Sequence, residues 1–149
     1  MDEILTKYWL ITKDGDPDAR KLADRHYSRK KRGAKLFCGP GEKLILITPE
    51  RDAVFVWRKC YYRLDNQKGV ECTLFRNEGK YLSSELIKEA VKLAKMKWKD
   101  EKRFFTYVNP QKIKSQNPGY CFKKAGWRVC GKSKKGLIML EYILNGKEV

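Results

Sequence analysis

The sequence predicts a mixed α/β domain, and three observations carry that reading. Runs rich in β-branched and aromatic residues at 44–48, 53–58, 70–75 and 104–108 read as strands. From residue 84 to residue 98, Leu86, Ile87, Ala90, Val91, Leu93, Ala94 and Trp98 fall on a broad helical face. Between the third strand and this helix lies RNEGKYLSS, residues 76–84. A strand that feeds a turn and a helix N-terminus leaves several backbone N–H groups without helical partners, and a phosphate or pyrophosphate can sit there.

Taken in order, Asp16-Pro17 supplies an N-cap and a first-turn proline, with Ala19, Leu22, Ala23 and Tyr27 on one face, so a first helix is expected over residues 17–26. A basic loop follows, then the turn Gly39-Pro40-Gly41. The unbroken apolar run at 44–48 suits a strand covered on both faces. A turn at 49–52 leads to 53–58 as its antiparallel neighbour, and 70–75 is a third strand. Ser83 or Ser84 is placed to cap the long helix, which runs to Trp98. Residues 104–108 form the next strand, 118–125 a short helix stopped by Gly126, and 127–130 with 137–143 a closing hairpin. Asn117 is read as the cap of that short helix. No repeat, linker or low-complexity tract interrupts the chain, so 1–149 is expected to be a single domain.

The 34 Lys and Arg against 18 Asp and Glu give a net charge of +16, which makes a polyanion the leading partner. No apolar stretch is long enough to span a bilayer and no signal-like segment opens the chain, so a cytoplasmic protein without membrane association is expected. Five scattered cysteines without a C-x-x-C pair argue against a disulfide framework and a zinc module, and no metal is expected. Cys72 and Cys121 read as small buried hydrophobes.

Several side chains carry potential chemistry. His26 is the only histidine, with a reference pKa of about 6.5, and reads either as a proton carrier or as a helix-end group. Tyr27 and Ser28 stand beside it among Arg25, Arg29, Lys30, Lys31 and Arg32. Basic residues interleaved with aromatics suit phosphates and stacked bases; the alternative is a solvated charge run. Glu71, Arg76, Asn77 and Glu78 surround a strand end that becomes a turn, where a carboxylate can act as base toward an amine or can hold an ion pair. Asn109 follows the strand at 104–108, where an amide can bond a base edge or form a turn. Phe37, Trp57, Tyr61 and Tyr62 are candidate walls for a base, with core packing the better reading of Trp57.

The order strand, turn, helix, strand, followed by N-x-x-x-x-F-x-K-A-G-W (residues 117–127), resembles the core of the GNAT acyltransferase fold over roughly the C-terminal half. The resemblance implies a mostly antiparallel central sheet with flanking helices and acetyl-CoA or a related acyl-CoA as donor. GNAT proteins hold the coenzyme pyrophosphate on an R/Q-x-x-G-x-G/A turn, which Arg76, Asn77, Gly79 and Lys80 match up to Tyr81; there a side chain replaces the small residue. Lys80 and the N–H groups of Ser83 and Ser84 remain as anion ligands. The tyrosine that many GNAT enzymes use as acid toward the leaving thiolate aligns with Phe122, which cannot donate a proton, so Tyr120 or Tyr107 is the substitute.

A narrower resemblance, to phage Mom-type DNA modification proteins, rests on residues 25–29 (RHYSR), 71–76 (ECTLFR), Ser84 with Ile87, 108–110 (VNP) and 125–127 (AGW). It implies transfer of an acyl-derived group to a base amine of nucleic acid, DNA before RNA. His26, Tyr27, Glu71 and Tyr120 are then the catalytic candidates, Arg76, Asn77, Gly79, Lys80, Ser83 and Ser84 the donor ligands, and Arg25, Ser28, Arg29, Lys30, Lys31, Arg32 and Asn109 the nucleic-acid contacts. Two alternatives stay open: a non-catalytic nucleic-acid-binding protein on the same scaffold, and an N-acetyltransferase for a protein or small amine.

Overall fold

The computed structural model describes residues 6–29, 33–112 and 117–144. Lys30, Lys31 and Arg32 of the basic loop lie outside the described residues. The expected elements are present in the expected order: α1 (Pro17–Asp24), β2 (Glu42–Ile47), β3 (Ala53–Lys59), β4 (Val70–Asn77), α2 (Ser83–Lys97), β5 (Arg103–Val108), α3 (Tyr120–Lys124), β6 (Arg128–Lys132) and β7 (Ile138–Ile143). They are preceded by a short strand, β1 (Leu10–Thr12), which the sequence reading missed. Its three residues carry no period-2 burial signal; pairing with β2 alone defines it.

The strands form one sheet in the order β1-β2-β3-β4-β5-β7-β6. Neighbours are antiparallel except β4 and β5, which are parallel. The uninterrupted apolar run of β2 is covered on both sides as expected. Leu44 and Leu46 join the larger core beneath α2, while Ile45 and Ile47 join a second core beneath α1. Trp57 is fully buried, its ring among Phe55, Phe104 and Trp127, and its Nε1–H donates to the Ala90 carbonyl at 3.2 Å. It is a core residue; Tyr61 and Tyr62 stand exposed.

Helix boundaries differ from expectation where a cap was misjudged. Asp16 does cap α1, its Oδ1 accepting from the N–H groups of Asp18 at 2.9 Å and Ala19 at 3.0 Å. The helix nevertheless ends at Asp24, so His26 and Tyr27 fall beyond it. Neither Ser83 nor Ser84 caps α2: the cap position is Leu82, extended and without a side-chain bond. The Ser83 hydroxyl instead accepts from Asn77 Nδ2 at 2.9 Å. Asn117 is likewise not the cap of α3; that position is Gly119, whose φ of 80° suits glycine, and Asn117 Oδ1 accepts from Lys123 Nζ at 2.6 Å.

Two features of β4 position the site. Against β3 the register runs Val56↔Leu74 and Trp57↔Cys72, which leaves Thr73 as the extra residue of a β-bulge. Against β5 the parallel pairing covers Val70↔Phe104, Glu71↔Phe105 and Cys72↔Thr106 only. Beyond Cys72 the two strands diverge, and the edge of β4 that faces β5 has no strand partner.

Candidate active site

The divergence opens a cleft of about 520 Å³, within the range of small-molecule sites. The bulged half of β4 forms one wall and the end of β5 the other, with Tyr120 and Cys121 of α3 and the α1–β2 connection at the mouth. Five of the expected catalytic and donor-binding residues meet here: His26, Tyr27, Arg76, Asn77 and Tyr120. They come from segments as far apart as residues 26 and 120, so their convergence is a product of the fold.

His26 stacks on Tyr27 with ring centroids 4.3 Å apart. Its Nδ1 accepts the Ser28 backbone N–H at 3.1 Å and lies 2.8 Å from the Ser28 hydroxyl. A backbone N–H can only donate, so Nδ1 is the unprotonated nitrogen and the neutral ring carries its proton on Nε2. Burial, reinforced by the Arg76 charge, lowers its pKa to about 4. At neutral pH the ring is therefore a fixed hydrogen-bond donor, and the proton-carrier reading gives way to a positioning one. Because the unfolded chain binds this proton at about 6.5 and the folded chain only at about 4, stability is lost as pH falls through that window. The loss amounts to about 3 kcal/mol at most. Thermal melts of the wild type and a His26→Gln variant between pH 7 and pH 4 check this, with the variant showing the shallower dependence.

Tyr27 crosses the cleft. Its hydroxyl oxygen accepts the Asn109 backbone N–H at 3.3 Å, tying the segment after α1 to the end of β5, and burial raises its pKa. Tyr107 also lines the cleft, but its hydroxyl donates to Asp65 Oδ2 at 2.9 Å. Burial and that bond push its pKa up to about 12, so it is a poor proton donor here. Phe122 lies in the aromatic core between Phe75 and Trp127. Tyr120, half exposed, is the cleft phenol that α3 supplies. Cys72 and Cys121 line the cleft with thiols whose pKa values burial raises, in keeping with unreactive packing groups.

Glu71 is on the other side of the sheet. It lines a second cavity of about 570 Å³ beneath the α1–β2 connection, together with Arg29, Phe37, Cys38, Arg58 and Thr73. Thr73 and Leu74 line both cavities, so the bulge is the partition between them. Glu71 Oε1 accepts from Arg63 Nη1 at 2.7 Å, and its side chain is 13% exposed. Burial raises its pKa against the opposing pull of Arg63. A carboxylate so placed is a better base than a solvated one.

The turn after β4 is held internally. Glu78 takes Arg25 in a two-pronged bond at 2.6 and 2.8 Å and Arg76 at 2.5 Å, and these bonds, led by Arg25, lower its pKa to about 2. Arg76 is thus turned toward a carboxylate. Gly79 is required by the close approach of Asp52, whose carboxylate an added Cβ would strike, rather than by an anion. The N–H groups of Glu78 and Gly79 already bond Asp52 O and Asn77 Oδ1. Tyr81 leans away onto Tyr8 and bonds Glu50. Lys80 and the first-turn N–H groups of α2, those of Ser83 and Ser84, are what this end offers a diphosphate.

The described members of the expected nucleic-acid stripe are engaged within the molecule. Arg25 bonds Glu78; Arg29 bonds Asp24 at 2.8 Å and the Ala34 carbonyl at 2.7 Å; Ser28 bonds His26. Asn109 Oδ1 accepts from the Gln111 N–H at 3.0 Å, a turn role rather than a free amide. Arg58 and Arg63 were missed in the sequence. For Arg58 the signal was the alternation of β3, which puts it on the same face as the buried Val54 and Val56; Arg63, in the connection after β3, carried none.

A central sheet whose parallel fourth and fifth strands part beyond a bulge, with a helix following the fourth, is the GNAT acetyltransferase fold, and solved structures agree. The chain matches the GNAT domain of S. lividans PAT at 18% identity and a TM-score of 0.53, over 68% of this chain and 61% of that one. An acetyltransferase from Thermus thermophilus matches at 13% identity and TM-score 0.59, over 95% of this chain and 99% of that one. A GNAT-family acetyltransferase from Bacillus anthracis matches at 16% and 0.57, over 97% and 99%. No family model and no curated protein matches the sequence. Among the described residues no helix is long and apolar enough to cross a membrane.

Proposed function

We propose that the protein is an acyl-CoA-dependent N-acyltransferase, with the donor in the β4–β5 cleft and the acceptor amine in the second cavity. The observation that supports this most is the pair of cavities on either side of Thr73 and Leu74, which line both. On this reading the donor and the acceptor enter from opposite faces of the sheet and react beside the bulge, where β4 and β5 part. The coenzyme, when bound, supplies an acyl group as a thioester.

The residues fit that group at its reacting end. The unpaired edge of β4 offers backbone N–H groups to a thioester carbonyl, the kind of fixed donor that stabilises developing negative charge. Glu71 takes a proton from the acceptor ammonium, freeing the nitrogen lone pair to form the new C–N bond. Tyr120 gives its hydroxyl proton to the sulfur as the C–S bond breaks, the second proton shed by the nitrogen restores the phenol through solvent, Glu71 releases its proton to water, and Tyr27 and His26 hold the wall between. Assayed by release of free thiol from acetyl-CoA with amine acceptors, Tyr120→Phe is expected to lower kcat about 100-fold at unchanged KM. Wild-type and variant rates that are equal would remove Tyr120 from the mechanism.

At the diphosphate end the fit is looser, because Glu78 occupies Arg25 and Arg76. Glu78→Gln releases both guanidinium groups and removes a charge that repels the diphosphate. Titration calorimetry with CoA should show binding tightened about 3- to 10-fold, with the gain shrinking as salt is raised.

A second reading keeps the same chemistry and places the amine on a nucleic-acid base, DNA before RNA, as the Mom-type resemblance implies. The net charge of +16 favours it. Mass spectrometry of nucleosides from cells expressing the protein, against a Glu71→Gln strain, tests it: a modified nucleoside absent from the variant supports it, and identical profiles remove it.

A further inference from the structure

The second cavity carries a charge arrangement that the transfer chemistry alone does not need. Arg58 and Glu71 are direct cross-strand partners on β3 and β4, on the face beneath the α1–β2 connection. Side chains so placed ordinarily pair with each other. Here Glu71 bonds Arg63 instead, and Arg58 forms no ion pair with any described residue. Its Nε is buried without a hydrogen-bond partner, and the Thr73 hydroxyl in the same cavity is in the same condition. Buried donors left open are uncommon in folded proteins and call for a partner, a ligand or a water. Of the other polar groups in the lining, Arg29 is held by Asp24 and the Ala34 carbonyl and Ser28 by His26, and Leu36, Phe37 and Leu74 are apolar, so Arg58 is the cation of the cavity without a carboxylate partner among the described residues.

We infer that the acceptor is a small zwitterionic amine, one that carries a carboxylate or phosphate near its amino group: Arg58 and the Thr73 hydroxyl receive the anionic group while Glu71 receives the ammonium. The inference rests on the acyl-transfer reading for the fate of the amine. Its recognition half stands on the cavity alone. A guanidinium fork matches the two oxygens of a carboxylate or phosphate, and a volume near 570 Å³ leaves room for a molecule of amino-acid size. Gly39 leaves room for the Arg58 head: a Cβ there would strike Nη1.

The test separates recognition from transfer. Thermal-shift and calorimetric titrations of the full chain are made with the free L-amino acids against their carboxamides, and with phosphoethanolamine against ethanolamine. Each is repeated for Arg58→Gln and for Gly39→Ala, which displaces the Arg58 head without removing it. At least one acid is expected to bind roughly tenfold or more tighter than its neutral counterpart. That preference should vanish in Arg58→Gln and weaken in Gly39→Ala, while each variant melts as a folded protein and binds CoA as the wild type does. Preference for a carboxylate or for a phosphate tells the two anion sources apart. Equal binding of every acid and its neutral partner, no binding of either, or a preference that survives in Arg58→Gln would overturn the inference. CoA binding and thiol release, followed separately, report on the transfer reading, so failure of either is seen on its own.

Discussion

Glu71→Gln lowers kcat for acyl transfer by about 100- to 10,000-fold while leaving CoA binding intact. Glutamine keeps the shape and still accepts the Arg63 bond, but its amide cannot take the ammonium proton. Because burial holds the Glu71 pKa above the ordinary carboxylate value of 4.5, the acid limb of the kcat/KM profile lies above that value in the wild type. In the variant the residual rate should lack that limb. His26, with its pKa near 4, contributes no limb around 6.5. A profile governed by a group near 6.5, or full activity in Glu71→Gln, would move the base elsewhere.

Trp57→Ala costs about 3–5 kcal/mol, a large part of the ~5–15 kcal/mol typical of a domain. Its ring joins β3 to α2 and to Trp127 and is fully buried with its N–H satisfied, so truncation leaves a cavity and removes the bond that ties β3 to the Ala90 carbonyl of α2. The result expected is a melting transition lowered by many degrees or lost. Tyr62→Ala, at a fully exposed ring, should leave the melt unchanged. Equal effects would mean that the aromatic core is not where the sheet is anchored.

Much of this architecture was legible because the signals were local. The helical face from Leu86 to Ala94 and the double-sided apolar run at Leu44 to Ile47 need only periodicity. Asp16-Pro17 needs only cap chemistry. The Ser83 and Ser84 caps failed because the helix starts one residue earlier, at the Leu82 cap, with the Ser83 hydroxyl taken by Asn77 across the turn. The same distinction runs through the site. His26, Tyr27, Arg76, Asn77 and Tyr120 were found as residue types near strand and helix ends, where α/β folds place their chemistry. Their roles turned on partners: Ser28 fixes the His26 tautomer, Glu78 holds Arg76, and Asp52 explains Gly79. The role of Arg58 was not legible because it depends on the β3–β4 register opposite Glu71 and on Arg63 taking that carboxylate first.

The parting of β4 and β5 as a donor cleft is the central claim, and calorimetric titration of the full chain with acetyl-CoA tests it most directly, alongside Cys121→Phe, which places a ring in the cleft from α3. The account predicts one saturable site per chain in the wild type and its loss in the variant, with the variant still folded. No detectable binding up to millimolar acetyl-CoA, or equal binding by both proteins, would contradict it.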